Sequence, residues 1–151
     1  MKYMENSKRT MYSASLVIYN QDRTKYLITR RPLNDDSMPG YWGFPTASKK
    51  YPDEIWKDVV HRAAKIKLGA EIEIVKMLGE DEIDRGDYIL KLRDYEVRVI
   101  SGEISVPQEN QEGTQYIDFR WSSDPSELIK AAKDGSLCAR IFLKYNNINW
   151  R

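Results

Sequence analysis

The stretch Pro52–Gly69, PDEIWKDVVHRAAKIKLG, decides how this chain is read. Apolar residues recur in it at three-to-four spacing (Ile55, Trp56, Val59, Val60, Ala63, Ala64, Ile66) with charge between them, the pattern of one amphipathic helix. Pro52 suits a first helical position, where its missing N–H costs nothing, and Asp53 and Glu54 lie where the helix dipole favours anions. Lys65 and Lys67 lie where it favours cations, and Gly69 stops the run. The predicted helix therefore spans 52–69, with a polar face that carries Arg62 and Lys67.

Immediately before it stands Tyr41-Trp42-Gly43-Phe44-Pro45. W-G-F-P followed by Glu54, Arg62 and Gly69 resembles the Nudix box of the MutT-like hydrolases, G-x5-E-x7-R-E-U-x-E-E-x-G-U with U aliphatic. The spacing from Glu54 through Arg62 to Gly69 fits without a gap. One extra residue lies between Pro45 and Glu54, and Thr46 and Ala47 replace the usual glycine pair. The resemblance, which runs from about Ser13 to Tyr145 and includes the Arg120-Trp121 pair, implies an α/β fold, a Nudix-like α/β/α sandwich with a mixed central sheet. It also implies a chemistry, in which box glutamates hold divalent cations that neutralise a diphosphate for attack by water. Here the box is degenerate: Ala63 stands for the glutamate after the arginine, and Ile66 and Lys67 stand for the acidic pair. A methyl, a branched alkyl and an ammonium group supply no oxygen ligand, so the helix lacks the usual metal site.

Composition is compatible with that fold and narrows the partners. The 151 residues are 41% hydrophobic, enough for one globular domain with a core, expected over 11–151 after a flexible N-terminus at 1–10. Twenty-four basic against 23 acidic residues leave a formal charge of +1, so no global basic field argues for nucleic acid or anionic membrane. Cys138, the single cysteine, excludes an internal disulfide and reads as a small buried hydrophobe in a reducing setting. No run has the length of a membrane span and MKYMENSKRT lacks a signal-peptide core, so a cytoplasmic protein is expected.

Read in order, Tyr12–Tyr19 and Tyr26–Arg31 are strand-like around a hairpin loop at Asn20–Thr24, and Pro32–Gly40 is a turn-rich loop. Tyr41–Pro45 forms a short strand and Thr46–Tyr51 a loop into the helix. Ala70–Leu78 alternates as a strand with Ile72, Ile74 and Met77 inward, Gly79–Gly86 is an acidic loop, and Tyr88–Leu92 and Tyr95–Ile100 are two further strands. Pro107–Gly113 is polar and Thr114–Trp121 a last strand. Helices follow at Pro125–Lys133, capped by Ser123 or Asp124, and at Leu137–Tyr145.

Candidate site residues follow from charge and position. Arg62, Lys67, Lys49 and Arg31 are candidates to hold phosphate, Lys67 because an ammonium where the family has a metal-binding carboxylate can take the cation's place. Arg62, without its glutamate partners, has Glu54 and Asp58 within reach. Should the chain be hydrolytic, Glu54 and Glu82 are the catalytic candidates and Glu54, Glu80 and Glu82 the metal candidates, with Mg2+ or Mn2+ as cofactor; otherwise no cofactor is expected. His61 reads as an ordinary helix-surface residue. Three readings stay open: a binder of a nucleotide or other phosphate-bearing small molecule with weak or no hydrolysis, a pyrophosphohydrolase built on carboxylates outside the box, and a structural or interaction module.

Overall fold

The structure, a computed structural model, describes residues 8–109, 111 and 113–151. Its elements are β1 (Arg9–Val17), β2 (Tyr26–Arg30), β3 (Trp42–Gly43), β4 (Thr46–Ser48), α1 (Trp56–Leu68), β5 (Glu71–Asp84), β6 (Tyr88–Ser101), β7 (Asp118–Ser122), α2 (Ser126–Lys133) and α3 (Leu137–Tyr145). Residues 1–7 of the expected flexible terminus lie outside the described residues. Arg9 and Thr10 already belong to β1, and Lys8 is paired with Asp84 at 2.7 Å.

The strands form one layer from two sheets. The larger has the order β4-β1-β6-β5, with β1 and β6 parallel and the other pairs antiparallel; the smaller, antiparallel, has the order β3-β2-β7. Alternation along β1 decides which helix covers which face. Ala14 and Leu16, continued by Ile18, meet Val59, Val60, Ala63, Ala64 and Leu68 of α1. Val17 turns the other way, toward Leu128 and Ala131 of α2 and Ala139, Phe142 and Leu143 of α3. The result is an α/β/α sandwich with a mixed sheet. Each Val, Leu, Ile or Phe side chain buried this way contributes about 1.5–3 kcal/mol, and each alanine methyl less. On the second face Tyr26, Phe44 and Phe142 form an aromatic cluster with centroids 4.8–6.3 Å apart.

Four boundaries differ from the sequence expectation. Thr46–Ser48 is a strand, because Ser13 Oγ and Ser48 Oγ (2.7 Å) and Ser15 Oγ and Thr46 Oγ1 (2.6 Å) pair across the ladder and satisfy hydroxyls that β1 buries. The acidic segment is a strand too: β5 continues to Asp84, and β6 is one strand from Tyr88 to Ser101. Its charges are matched across the ladder, Glu80 with Arg93 at 2.8 Å and Glu82 with Lys91 at 3.8 Å. Met77, expected inward, is exposed: the register shift between Ile74 and Lys76 places it opposite Tyr95, on the face of Ile72 and Ile74, but the core does not cover it there. The last strand is shorter than expected, starting at Asp118.

Asp94, in the middle of β6, is fully buried and neither carboxyl oxygen has a hydrogen-bond partner. Burial raises its pKa well above the ordinary carboxylate value, which favours the neutral acid in the folded chain. Stability linked to this group is complete below pH about 4, where both states are protonated, and is lost as pH rises through the folded value. Asp35 acts in the opposite sense: Arg31 and the amides of Ser37 and Met38 outweigh its burial and hold it at about 2, so its contribution is lost as pH falls toward that value. Replacing Asp94 with asparagine is predicted to give an advantage over the native chain that grows with pH above about 4, by up to about 1.4 kcal/mol per unit, in urea unfolding at a series of pH values. A difference that stays constant across the series would show that Asp94 is ionised in the folded state.

Candidate functional site

The chain enters α1 through a loop built on one carboxylate. Glu54 is buried; it accepts from the Lys50 amide at 2.7 Å and from Arg62 Nη2 at 2.8 Å, while the same Nη2 donates to the Ser48 carbonyl at 2.8 Å. This corrects the expected helix start. Glu54 closes residues 50–54 into a loop, Ile55 is extended at φ −77° and ψ 148°, and the helix opens at Trp56 with Asp58 as its first-turn acid. Pro52 and Asp53 therefore occupy a turn, and Glu54 is spent on the loop rather than on the dipole. Burial opposes ionisation of Glu54, but the Lys50 amide and the Arg62 guanidinium prevail and hold its pKa below the ordinary carboxylate value. At the other end Gly69 caps α1 at φ 71°, and a side chain there would meet Gln108 at 2.7 Å.

Beside this brace lies a cavity of about 440 Å³. Arg31 from the end of β2, Lys50 from the loop, and Arg62 and Lys67 from α1 line it, with Thr46, Ser48, Ile66, Thr114 and Tyr116 between them. No carboxylate lines it among the described residues. Lys67 is only 4% exposed and its ammonium donates to the Thr114 carbonyl, so it is neither a solvated nor a surface lysine. Gln115 Nε2 donates to the Ile66 carbonyl at 3.1 Å, and the buried Tyr116 hydroxyl accepts from the Thr46 amide at 3.0 Å. Residues 114–116 thus strap the last turns of α1 to the floor of the cavity. Arg31 keeps its pairing with Asp35 at 2.8 Å.

Three of the four phosphate candidates therefore share one cavity, and the fourth lies elsewhere. The Lys49 ammonium sits 4.6 Å from the Tyr12 ring centroid and 4.7 Å from that of Trp56, a cation–π contact on the other side of the chain. Lys50, its neighbour, lines the cavity in its place. Glu80 and Glu82 lie on β5, at the sheet edge opposite β4, and do not converge with Glu54. His61 is half-buried on α1 and does not line the cavity. Cys138 is half-buried, and burial pushes its thiol pKa up. Sequence reasoning also missed Thr46 and Tyr116, which no spacing rule marks.

No family model matches the sequence. Over 107 residues, 71% of the chain, it is 26% identical to an isopentenyl-diphosphate Δ-isomerase of Clavibacter michiganensis subsp. michiganensis, and it spans about half (55%) of that relative's length. The MutT protein of Methanosarcina mazei Go1 superposes with a TM-score of 0.67 at 18% identity, covering 93% of this chain and 96% of that one. A NUDIX hydrolase from Nitrosomonas europaea superposes with a TM-score of 0.67 at 14% identity over 93% and 90%. The fold is that of the Nudix hydrolases.

On this Nudix fold the divalent cation that the family resemblance implies does not fit the donors present. Ala63 is fully buried against the sheet, Ile66 presents hydrocarbon to the cavity, and Lys67 presents a positive charge. Among the described residues no three of His, Cys, Asp and Glu gather to hold a metal ion. What the Nudix helix retains is its loop brace. Arg62→Met leaves the Glu54 charge buried without its partner and is predicted to cost about 3 kcal/mol near neutral pH, with Glu54→Gln costing less and the double variant less than the sum. Because Glu54 is held below its ordinary pKa, its share of stability is lost as pH falls through the folded value, and the Arg62→Met deficit shrinks there. Urea unfolding of the four proteins checks this; a deficit under about 1 kcal/mol would show the pair to be incidental.

Proposed function

We propose that this chain binds a phosphate-bearing small molecule in the cavity beside α1, with weak or no metal-dependent hydrolysis. The observation that carries the reading is the convergence of Arg31, Lys50, Arg62 and Lys67 on one cavity without a carboxylate among the described lining residues. A diphosphate carries several negative charges, and guanidinium and ammonium groups in a partly enclosed site bind it through charge-assisted hydrogen bonds. Thr46 and Ser48 add hydroxyl and backbone groups on the same wall. Arg62 and Arg31 are held in place by Glu54 and Asp35, so each arrives at the site oriented. In this reading Lys67 stands where the family implies a metal, supplying fixed charge that neutralises a phosphate without activating a water.

The name of the curated relative, an isopentenyl-diphosphate Δ-isomerase, points to a diphosphate-bearing compound, which is consistent with a phosphate-binding Nudix fold. A nucleotide belongs to the same broad class. No helix of the described residues is long and apolar enough to cross a membrane, and the cytoplasm is the proposed setting.

Isothermal titration with inorganic pyrophosphate tests the reading. Binding is expected in the presence of chelator, and excess Mg2+ is expected to weaken it, because the metal-bound anion has less charge left for the four cations. Lys67→Glu is expected to weaken binding by about 30-fold or more, and Lys50→Gln, at an exposed position, by about tenfold with stability unchanged. Binding that requires Mg2+, or that is indifferent to both substitutions, would overturn the proposal.

A further inference from the structure

Gly113, Thr114, Gln115 and Tyr116 follow one another past the cationic cavity, and all but Gln115 line it. The Gln115 side chain instead bridges two other segments: Nε2 donates to the Ile66 carbonyl at 3.1 Å, and Oε1 accepts from the Gln108 amide at 3.0 Å. The Ile66 carbonyl needs that donor. In a continuing helix the Ala70 amide would serve it, but here that amide bonds to the Ala64 carbonyl. Gln115 thus fastens the strap to α1 one residue before Lys67.

Fastening Gln115 places its neighbours. Thr114 presents its carbonyl to the Lys67 ammonium, and the Tyr116 hydroxyl accepts from the Thr46 amide at 3.0 Å. Gly113 confines the same ammonium from another direction: it is left-handed at φ 79°, and a Cβ there would lie 3.1 Å from Lys67 Nζ. An ammonium has three N–H donors on a flexible stem, and a carbonyl that takes one of them sets the direction of the group. Without that restraint the side chain spreads over rotamers, and binding an anion then has to freeze them.

We infer that Gln115 is a positioning residue of the anion site: by fastening the strap to the Ile66 carbonyl it holds the Thr114 carbonyl where it directs Lys67 at the cavity. This rests on the phosphate-binding reading above and extends the site to a residue that does not line the cavity. Gln115 acts only through Lys67, so its effect on affinity depends on Lys67 being present.

The test is a double-mutant cycle read by titration with inorganic pyrophosphate in chelator. Gln115→Met keeps the length of the side chain and removes both polar groups. It is expected to weaken binding about fivefold in the native background and to change nothing in a Lys67→Met background. A second readout needs no ligand: in nitrogen NMR of the lysine ammonium groups, the Lys67 resonance, assigned by its loss in Lys67→Met, is expected to shift or broaden in Gln115→Met. Gly113→Ala, which crowds Lys67 and leaves the Gln115 bonds in place, is expected to disturb the same resonance. An equal loss of affinity in both backgrounds, or a Lys67 resonance unmoved by Gln115→Met, would overturn the positioning role and spare the phosphate site. Failure of the native chain to bind pyrophosphate would overturn the phosphate-binding reading and this role with it.

Discussion

The Glu54–Arg62 pair is the constraint on which the site depends. One buried carboxylate draws in the Lys50 amide and the Arg62 guanidinium, and that guanidinium in turn reaches the Ser48 carbonyl, so the end of β4, the loop and the middle of α1 are fixed by a few bonds. A charged group taken out of water needs every partner it can find, and here the partners come from three different segments. The pair explains why α1 starts at Trp56, why Lys50 faces the cavity, and why Arg62 keeps a defined orientation although the family's acidic residues are missing from its helix.

Around that fixed loop the sign of the site has been inverted. Where the resemblance implies carboxylates gathering cations, this chain brings basic side chains together, and Lys67 among them is held by a backbone carbonyl from the strap at Thr114. Fixed ammonium and guanidinium groups favour bound anion in its ground state. They supply no Lewis acid to polarise a phosphoryl oxygen and no metal-bound water to attack it. Binding without turnover is the chemistry proposed for this donor set, and fold likeness to hydrolases does not by itself carry their activity to it.

Much of the fold could be read from the chain because local and tertiary signals agree there. The apolar repeat from Val59 to Leu68 is the face that packs on β1, and Gly69 ends the helix in a left-handed conformation where a side chain would also meet Gln108. Reading failed where a residue's role is set by a distant partner. The run Glu80–Asp84 looks like a loop in isolation and becomes a strand because Arg93 and Lys91 lie opposite two of its acids. Asp53 and Glu54 look like helix-start acids until Arg62 claims Glu54. Lys49 and Lys50 are indistinguishable in sequence, and only the path of the chain leaving β4 sends one to aromatic rings and the other to the cavity. Asp94 gives no sequence signal at all, since nothing nearby marks a strand acid as buried.

The central claim is that this Nudix fold holds a phosphate-bearing ligand without using metal to cleave it. The most direct measurement is release of phosphate or pyrophosphate from a panel of nucleoside triphosphates, dinucleoside polyphosphates and nucleotide sugars, with Mg2+ or Mn2+ and with chelator. The account predicts the same background release with metal as with chelator for every substrate. Metal-dependent turnover that disappears in Glu54→Gln would contradict it.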